Sequence, residues 1–312
     1  MKIAIDVGHG FTKAVSERQR VFFPSLIAPA PTGVDLGEYA ANETVRIDGS
    51  DYLVGDAARR HATPLWSRDK AADQDTLRLV LVAAARLGAT GPVTVATGLP
   101  LSWFGGQRRA LREALTGYGG TVALPGRPAQ RVWFDAVMVL PQGVAAATAV
   151  LAGSEYRAGT YVVADIGYRT TDYVVVEKTP GSQITADPTQ AGSLELGTHA
   201  VAATIAAELE RETEVPFSAA EVEDRDQVFV YGTAVSLAER RRIAQAAVAQ
   251  QLKAQLHEAL DARLAKVGGI ILVGGGAEFL KPAFPQAIIP VDAQWANAVA
   301  YWSAVGSIAS TV

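Results

Sequence analysis

Apolar positions along the chain fall into two rhythms. Short runs rich in β-branched and aromatic residues recur at 3–6, 21–23, 93–97, 132–140, 161–165, 173–177 and 270–273, and predict strands. Between them the spacing turns helical. Over 237–267, Ile243, Ala247, Leu252, Leu256, Leu260 and Leu264 recur at four- and five-residue steps. Ser236 can cap the start of that helix, and Gly268-Gly269 supplies a left-handed stop. Further helices are predicted over 142–151, 199–212 and 297–308. Strands mixed with helices in this order indicate an α/β architecture. Residues 28–76 differ: rich in Pro, Gly and charge with weak periodicity, they read as a smaller subdomain or insertion.

The most informative pattern is an internal echo. Around Ile3 the chain reads IAIDVGHGFTKAV, and around Val163 it reads VVADIGYRTTDYV. A shift of 159 residues superposes Asp6 on Asp165, Gly8 on Gly167 and Thr12 on Thr171, together with the apolar flanks. Each copy reads as strand, glycine-containing turn, strand. Two copies about half a chain apart predict duplicated domains facing each other across a cleft.

Composition narrows the classes. The chain has 312 residues, 49% hydrophobic and 19% charged, enough apolar material for two ordinary domains. A net charge of -4 leaves no large basic field to hold nucleic acid by counterion release, so direct nucleic-acid binding is not expected. The short run Glu239-Arg240-Arg241-Arg242 reads as a solvated helix start. Without cysteine there are no disulfides, thiolate zinc sites or cysteine nucleophiles. His9, His61, His199 and His257 are scattered, which argues against a transition-metal site. No apolar run approaches the roughly 18 residues that span a bilayer, so membrane insertion is not expected and the chain reads as cytoplasmic.

The echoed turns suit phosphate. An Asp at a strand end followed by Gly and small or hydroxylated residues exposes successive backbone N–H groups with little side-chain bulk. Asp6 and Asp165 could hold a hydrated magnesium ion, which tends to keep several waters, and Lys13 could neutralise a β- or γ-phosphate. Either loop alone could equally be a plain hairpin with a glycine turn. Gly274-Gly275-Gly276, after the strand at 270–273, let the backbone pass close to a flat ligand such as adenine and its ribose, or else mark a sheet–helix packing point. Gln142, in Leu140-Pro141-Gln142-Gly143, reads as a residue that orients a water for in-line attack on a γ-phosphate, or as a helix N-terminal residue with a solvated amide. No Walker A sequence occurs, and Phe279 occupies the last glycine position of a dinucleotide fingerprint.

Taken together, these segments resemble the actin/heat-shock-chaperone/sugar-kinase superfamily of ATPases, and more narrowly the bacterial and archaeal actin-like proteins of the ParM type. Residues 6–13 resemble the first phosphate loop, 97–100 a segment of the first domain, and 141–143 the first connection. Residues 165–172 resemble the second phosphate loop, 272–276 the adenosine segment, and 296–300 the second connection. The resemblance implies an actin-like fold: a first domain 1–148, with 28–76 as its small subdomain and 297–312 as its closing helix, and a second domain 149–296. It implies ATP and Mg2+ as cofactors. Asp165 would hold the metal and its water shell, with Asp6 beside it, and Gln142 would position the attacking water. Gly8, Gly10, Phe11, Thr12 and Lys13 would meet the phosphates from one side, and Gly167, Tyr168, Arg169 and Thr170 from the other. Gly197 and Gly274–Gly276 would frame the nucleoside. Glu208 and Arg211 could reach the adenine edge, though each also suits a solvated helix face. Arg169 stands where many relatives carry a small or acidic residue, and either meets phosphate or serves the structure.

The function implied is a polymerising ATPase, its partners being copies of itself in a filament and a DNA-binding adaptor protein, with plasmid or DNA segregation as the cellular role. A small-molecule kinase or a non-polymerising ATPase on the same fold is the alternative, but the kinase would need a carboxylate base where Gln142 offers an amide that cannot accept a full proton. A chaperone-like ATPase is disfavoured, since the chain ends soon after the last motif, and a non-catalytic binding module by the presence of Asp6, Asp165 and Gln142.

Overall fold

The computed structural model describes residues 1–31, 44–62, 65 and 67–307. The chain divides into two compact units, Met1–Ala149 with Trp295–Val312, and Val150–Gln294.

The first unit holds β1 (Lys2–Val7), β2 (Phe11–Val15), β3 (Arg20–Pro24), β4 (Ile27–Pro29), β5 (Thr44–Ile47), β6 (Ser50–Val54), α1 (Gln74–Arg86), β7 (Gly91–Leu99), α2 (Leu101–Leu115), β8 (Gly119–Ala123), β9 (Gln130–Pro141) and the start of α3 (Val144–Leu151). Its strands form one nine-stranded sheet in the order β3-β2-β1-β7-β9-β8-β5-β6-β4. Strand alternation sorts the side chains of β1: Ile3, Ile5 and Val7 join the core built on α1 and α2, whereas Ala4 joins a cluster with Tyr301 and Val305 of the C-terminal helix. Asp6 follows Ala4 on that second face. The segment 28–76, expected as a small subdomain, contains residues outside the described set (32–43, 63, 64 and 66). Its described strands β4, β5 and β6 extend the same sheet through β8.

The second unit contains β10 (Gly159–Ile166), β11 (Thr171–Lys178), β12 (Ile184–Leu194), α4 (His199–Thr213), α5 (Ala219–Val222), β13 (Gln227–Val230), β14 (Thr233–Ser236), α6 (Ala238–Leu260), β15 (Gly269–Val273) and α7 (Ala277–Leu280); α8 (Ala296–Ser307) returns to the first unit. Its sheet runs β12-β11-β10-β15, with β11 antiparallel and β15 parallel to β10. The set β3-β2-β1-β7 repeats this arrangement, β2 being antiparallel and β7 parallel to β1. The echo in the sequence is therefore a repeated topology. Val162, Ala164, Ile166, Ile270 and Leu272 pack against α4, α6 and α7, which leaves Asp165 on the opposite face of β10.

Several expectations shift. The long helix stops at Leu260, where Asp261 takes a positive φ of 46°, and Gly269 opens β15 instead of ending the helix. Its buried face is Ala244, Val248, Ala249, Leu252, Leu256 and Leu260, so Ile243, 51% exposed, lies off the stripe and Ala247 is exposed too. Ser236 does not cap by the usual geometry, although its hydroxyl accepts the Ala238 N–H at 3.4 Å. The helix expected from 142 begins at Val144, because Gly143 with φ 71° completes a turn first. Position 308, the expected end of α8, lies outside the described residues. Among the described residues no helix is long and apolar enough to cross a membrane.

Candidate functional site

Both echoed loops are the same short turn. In the first, the Gly8 N–H donates to the Phe11 carbonyl at 3.1 Å; in the second, Gly167 N–H donates to the Thr170 carbonyl at 2.9 Å. Each turn follows a buried aspartate, Asp6 (3% exposed) and Asp165 (8%), at the end of a central strand. Burying a carboxylate is costly unless it is hydrogen-bonded or paired, so both positions need an explanation beyond packing.

Around Asp6 the explanation is visible. Gln142 Nε2 donates to Asp6 Oδ1 at 2.9 Å, and Lys13 Nζ lies 3.6 Å from Asp6 Oδ2, Lys13 being the cross-strand partner of Asp6. Gln142 is 9% exposed, which removes the solvated-amide alternative. Its own N–H donates to the Leu99 carbonyl, and the next N–H, of Gly143, donates to Asn297 Oδ1 at 3.1 Å. The backbone at 142–143 is thereby held from β7 and from α8, and one side-chain N–H rests on Asp6, Oε1 being the amide's acceptor. Thr12 is fully buried and shares a 2.8 Å hydrogen bond with Ser25, whose N–H donates to the Gly10 carbonyl; Phe11 stacks on Phe22 at 4.7 Å.

The second loop is held mainly by glycine packing. Gly197 lets the start of α4 approach so closely that an added Cβ would lie 2.5 Å from the Tyr168 carbonyl oxygen and 2.6 Å from that of Gly167. The amides of Thr198 and His199 consequently donate to the Gly167 and Tyr168 carbonyls. Gly274, with φ 86°, brings the end of β15 against Asp165, where a Cβ would sit 2.4 Å from Oδ1. The Gly276 N–H donates to the Ile166 carbonyl. Gly167, Gly197, Gly274 and Gly276 thus meet around Asp165, with Gly275 between the last two.

The side chains of this loop are anchored. Arg169 Nη2 lies 3.3 Å from Glu195 Oε2. The Tyr168 hydroxyl donates to Glu223 Oε2 at 3.1 Å and shares a 2.9 Å contact with His199 Nδ1. The phenol has one proton, which goes to the carboxylate, so His199 Nδ1 is the donor on the other side. Burial lowers the His199 pKa below its ordinary value. Glu208 lies 3.8 Å from Arg240, and Arg211 is exposed on the same helix. The arginines after Glu239 are engaged internally: Arg240 pairs with Glu212, Arg241 donates to the carbonyls of Val222, Glu223 and Arg225, and Arg242 bonds Glu239.

Two residues that the sequence reading placed in the matched segments were given no role of their own. Asp172 is 3% exposed, sits directly opposite Asp165 in the ladder and accepts a hydrogen bond from Ser193. The echo could have found it, because the same shift puts Lys13 at that place in the first loop. The bond of Asn297 had no such signal, since the Gly143 amide it receives lies 154 residues away.

Comparisons with known proteins follow the same division. The model of the actin-like proteins' N-terminal domain matches residues 4–144, and that of the archaeal actin homologue MreB-like C-terminal domain matches 163–286. The chain is 25% identical over 335 residues to the archaeal actin homologs of Thermoplasma volcanium and Thermoplasma acidophilum, an alignment spanning 96% of this chain and 97% of each relative. Among solved structures it is similar to the 15-stranded ParM filament from Clostridium botulinum, with TM-score 0.85, 19% identity, and 98% of this chain and 99% of that chain covered. It is similar also to Ta0583, an archaeal actin homolog in complex with ADP, with TM-score 0.79, 23% identity, and 98% and 99% covered.

Proposed function

Since the chain belongs to the actin-like proteins, we propose that it binds ATP with Mg2+, hydrolyses the γ-phosphate bond and assembles into cytoskeletal filaments in the cytoplasm. Segregation of plasmid or other DNA through an adaptor protein is the cellular role that fits this reading. An ADP complex of one similar structure and a filament of another support it. The observation that carries it is the buried Gln142 amide fixed on Asp6 at 2.9 Å. With Nε2 turned to Asp6, Oε1 is the atom that would accept a hydrogen bond from a water and aim it at phosphorus, which is positioning chemistry and not proton abstraction.

In this reading Gly8, Gly10, Phe11, Thr12 and Lys13 form the phosphate contacts of the first loop, and Gly167, Tyr168, Arg169 and Thr170 those of the second. For the latter the backbone does the work, because the Tyr168 and Arg169 side chains are anchored elsewhere. Gly197, Glu208, Arg211, Gly274, Gly275 and Gly276 serve the nucleoside. Asp6 and Asp165 are hard oxygen donors of the kind magnesium takes. A magnesium ion that keeps its waters and rests mainly on phosphate suits such a site. Asp6 and Asp165 would hold it through water, and it would neutralise charge on the phosphates.

Phosphate release and light scattering, measured on the same samples over a range of protein concentrations with ATP-Mg, test both halves of the proposal. Turnover should be slow and should rise with protein concentration, and Asp165→Ala should abolish it. Normal turnover in that variant would refute the metal role of Asp165. Scattering that stays flat at high protein concentration would remove the filament and leave the ATPase.

A further inference from the structure

Strand β9 has an open edge. Its ladder to β8 covers only residues 130–133, and the last bonds on that side join Phe134 to Tyr118 and Gly117. Beyond them β9 runs on to Pro141, paired with β7 on one side and, among the described residues, with no strand on the other. The stretch Ala136-Val137-Met138-Val139-Leu140 is wholly apolar, yet none of its residues is buried, whereas residues 95–99 of the adjacent β7 are buried without a gap. Natural sheets guard such an edge with charge or proline on the strand itself, or cover it. Between Asp135 and Pro141 the strand supplies neither guard, so a cover is expected.

A groove of about 500 Å³ lies along this stretch, between β9 and α2, and its charge comes from the helix. Phe104, Arg108 and Arg112 stand four residues apart and form one stripe of α2, while Leu111 and Leu115 turn into the core. With Arg109, this stripe faces residues 136–139 of β9, and no acidic residue lines the groove. Arg109 is already matched by Glu113 at 2.8 Å. The Arg108 guanidinium lies 5.5 Å from the Phe104 ring centroid, and among the described residues neither Arg108 nor Arg112 pairs with a carboxylate. Arg112 sits in the last turn of α2, where a cation complements the helix dipole. That accounts for one charge, not for Arg108 a turn earlier beside an apolar strand.

We propose that the open edge of β9 and the arginine stripe of α2 form a docking slot for an acidic, extended segment of a partner protein. The segment adds to β9 as a further strand and takes up the outward N–H and C=O groups of its backbone. Its carboxylates meet Arg108 and Arg112 in charge-assisted bonds, and its alternate apolar side chains rest on Val137 and Val139. Nucleic acid fits less well, because two unmatched cations neutralise few phosphates and the floor is apolar. The slot lies within the first unit and stands or falls apart from the ATPase reading.

The probe is a fluorescent peptide of alternating Glu and Val, about seven residues long to span the open stretch, titrated by anisotropy into the full chain without nucleotide. Its Lys/Val counterpart and a labelled DNA duplex are titrated beside it. The Glu/Val peptide should bind and the Lys/Val peptide should not, and the affinity should fall as salt rises. Arg108→Glu combined with Arg112→Glu should weaken binding roughly tenfold or more. Both arginines are exposed, so circular dichroism of that variant should match wild type. Hydrogen exchange of the saturated complex should gain protection within 136–140, a mark that charge attraction alone does not leave. Equal affinity in the double variant, protection confined to other segments, or no binding at about 1 mM peptide would overturn the slot. Tighter binding of the DNA, lost in the same variant, would replace the peptide by nucleic acid. Self-association of wild type that the double variant abolishes in sedimentation would put a second copy on this edge and overturn the partner.

Discussion

The two loops share a turn, a buried aspartate and a buried threonine, and differ in what surrounds them. In both, a buried aspartate ends a strand and a glycine N–H closes the turn three residues on. Opposite Asp6 the ladder places Lys13, and opposite Asp165 it places Asp172. The first loop is held by side chains: Lys13 and Gln142 on Asp6, Ser25 on Thr12, Lys70 on the Val7 carbonyl. The second adds to its Tyr168 and Arg169 side-chain bonds a close backbone approach at Gly197, Gly274 and Gly276 that the first loop lacks. A turn that offers amides is what duplication preserved. The means of holding it differ, so the second loop should be the more sensitive to added volume.

The largest effect is expected at Gln142. Gln142→Ala should slow ATP turnover about a hundredfold or more, the scale of lost transition-state positioning, and should change ATP affinity little. Single-turnover kinetics beside a binding titration separate the two. A variant that binds poorly but turns over normally would show that the amide serves to hold Asp6 and not to orient water. Next comes the contrast between glycines. Gly197→Ala should cost roughly 3 kcal/mol or more in stability, because its Cβ meets two backbone carbonyl oxygens well inside contact distance. Gly8→Ala, whose Cβ would meet the Phe11 oxygen at 3.0 Å, should cost about 1 kcal/mol. Calorimetric unfolding of the two variants would expose an error if the order were reversed.

What could be read from the chain follows the same line. The hairpins were legible because the echo constrains each copy by the other, and the strands because β-branched runs end at glycines. Helix α1 left no trace. Its residues from Leu79 to Ala85 are buried without a gap, and burial on every side erases the 3.6-residue period. Over α6 the stripe was misphased at its start, since alanines at 244 and 247 carry no preference and only packing chooses Ala244. At the site, the residue types were readable and their bonds were not. Gln142 and Asp6 lie 136 residues apart, and nothing local announces that the amide is buried on the carboxylate. Lys70 was hidden in a segment whose weak periodicity suggested only a small subdomain or insertion.

The smallest effect concerns pH, and it belongs to the second loop alone. His199 donates through Nδ1 to the Tyr168 hydroxyl, which in turn donates to Glu223, and partial burial lowers the imidazole pKa in the folded chain. In the unfolded chain the imidazole returns to about 6.5. Between the two values the unfolded state binds more protons, so stability rises with pH across that interval. The contribution is complete above about pH 6.5 and is lost as pH falls from there toward the folded-state value. Lowered carboxylates elsewhere, such as Glu212 beside Arg240, act only at more acidic pH. Moving from pH 7.5 to 5.5 should therefore lower the melting temperature of wild type more than that of His199→Gln, by a small margin for a partly solvated group. An equal drop in both proteins would mean that the imidazole is no more burdened folded than unfolded. The Tyr168 anchor would then hold its loop by geometry alone, as the glycines beside it do.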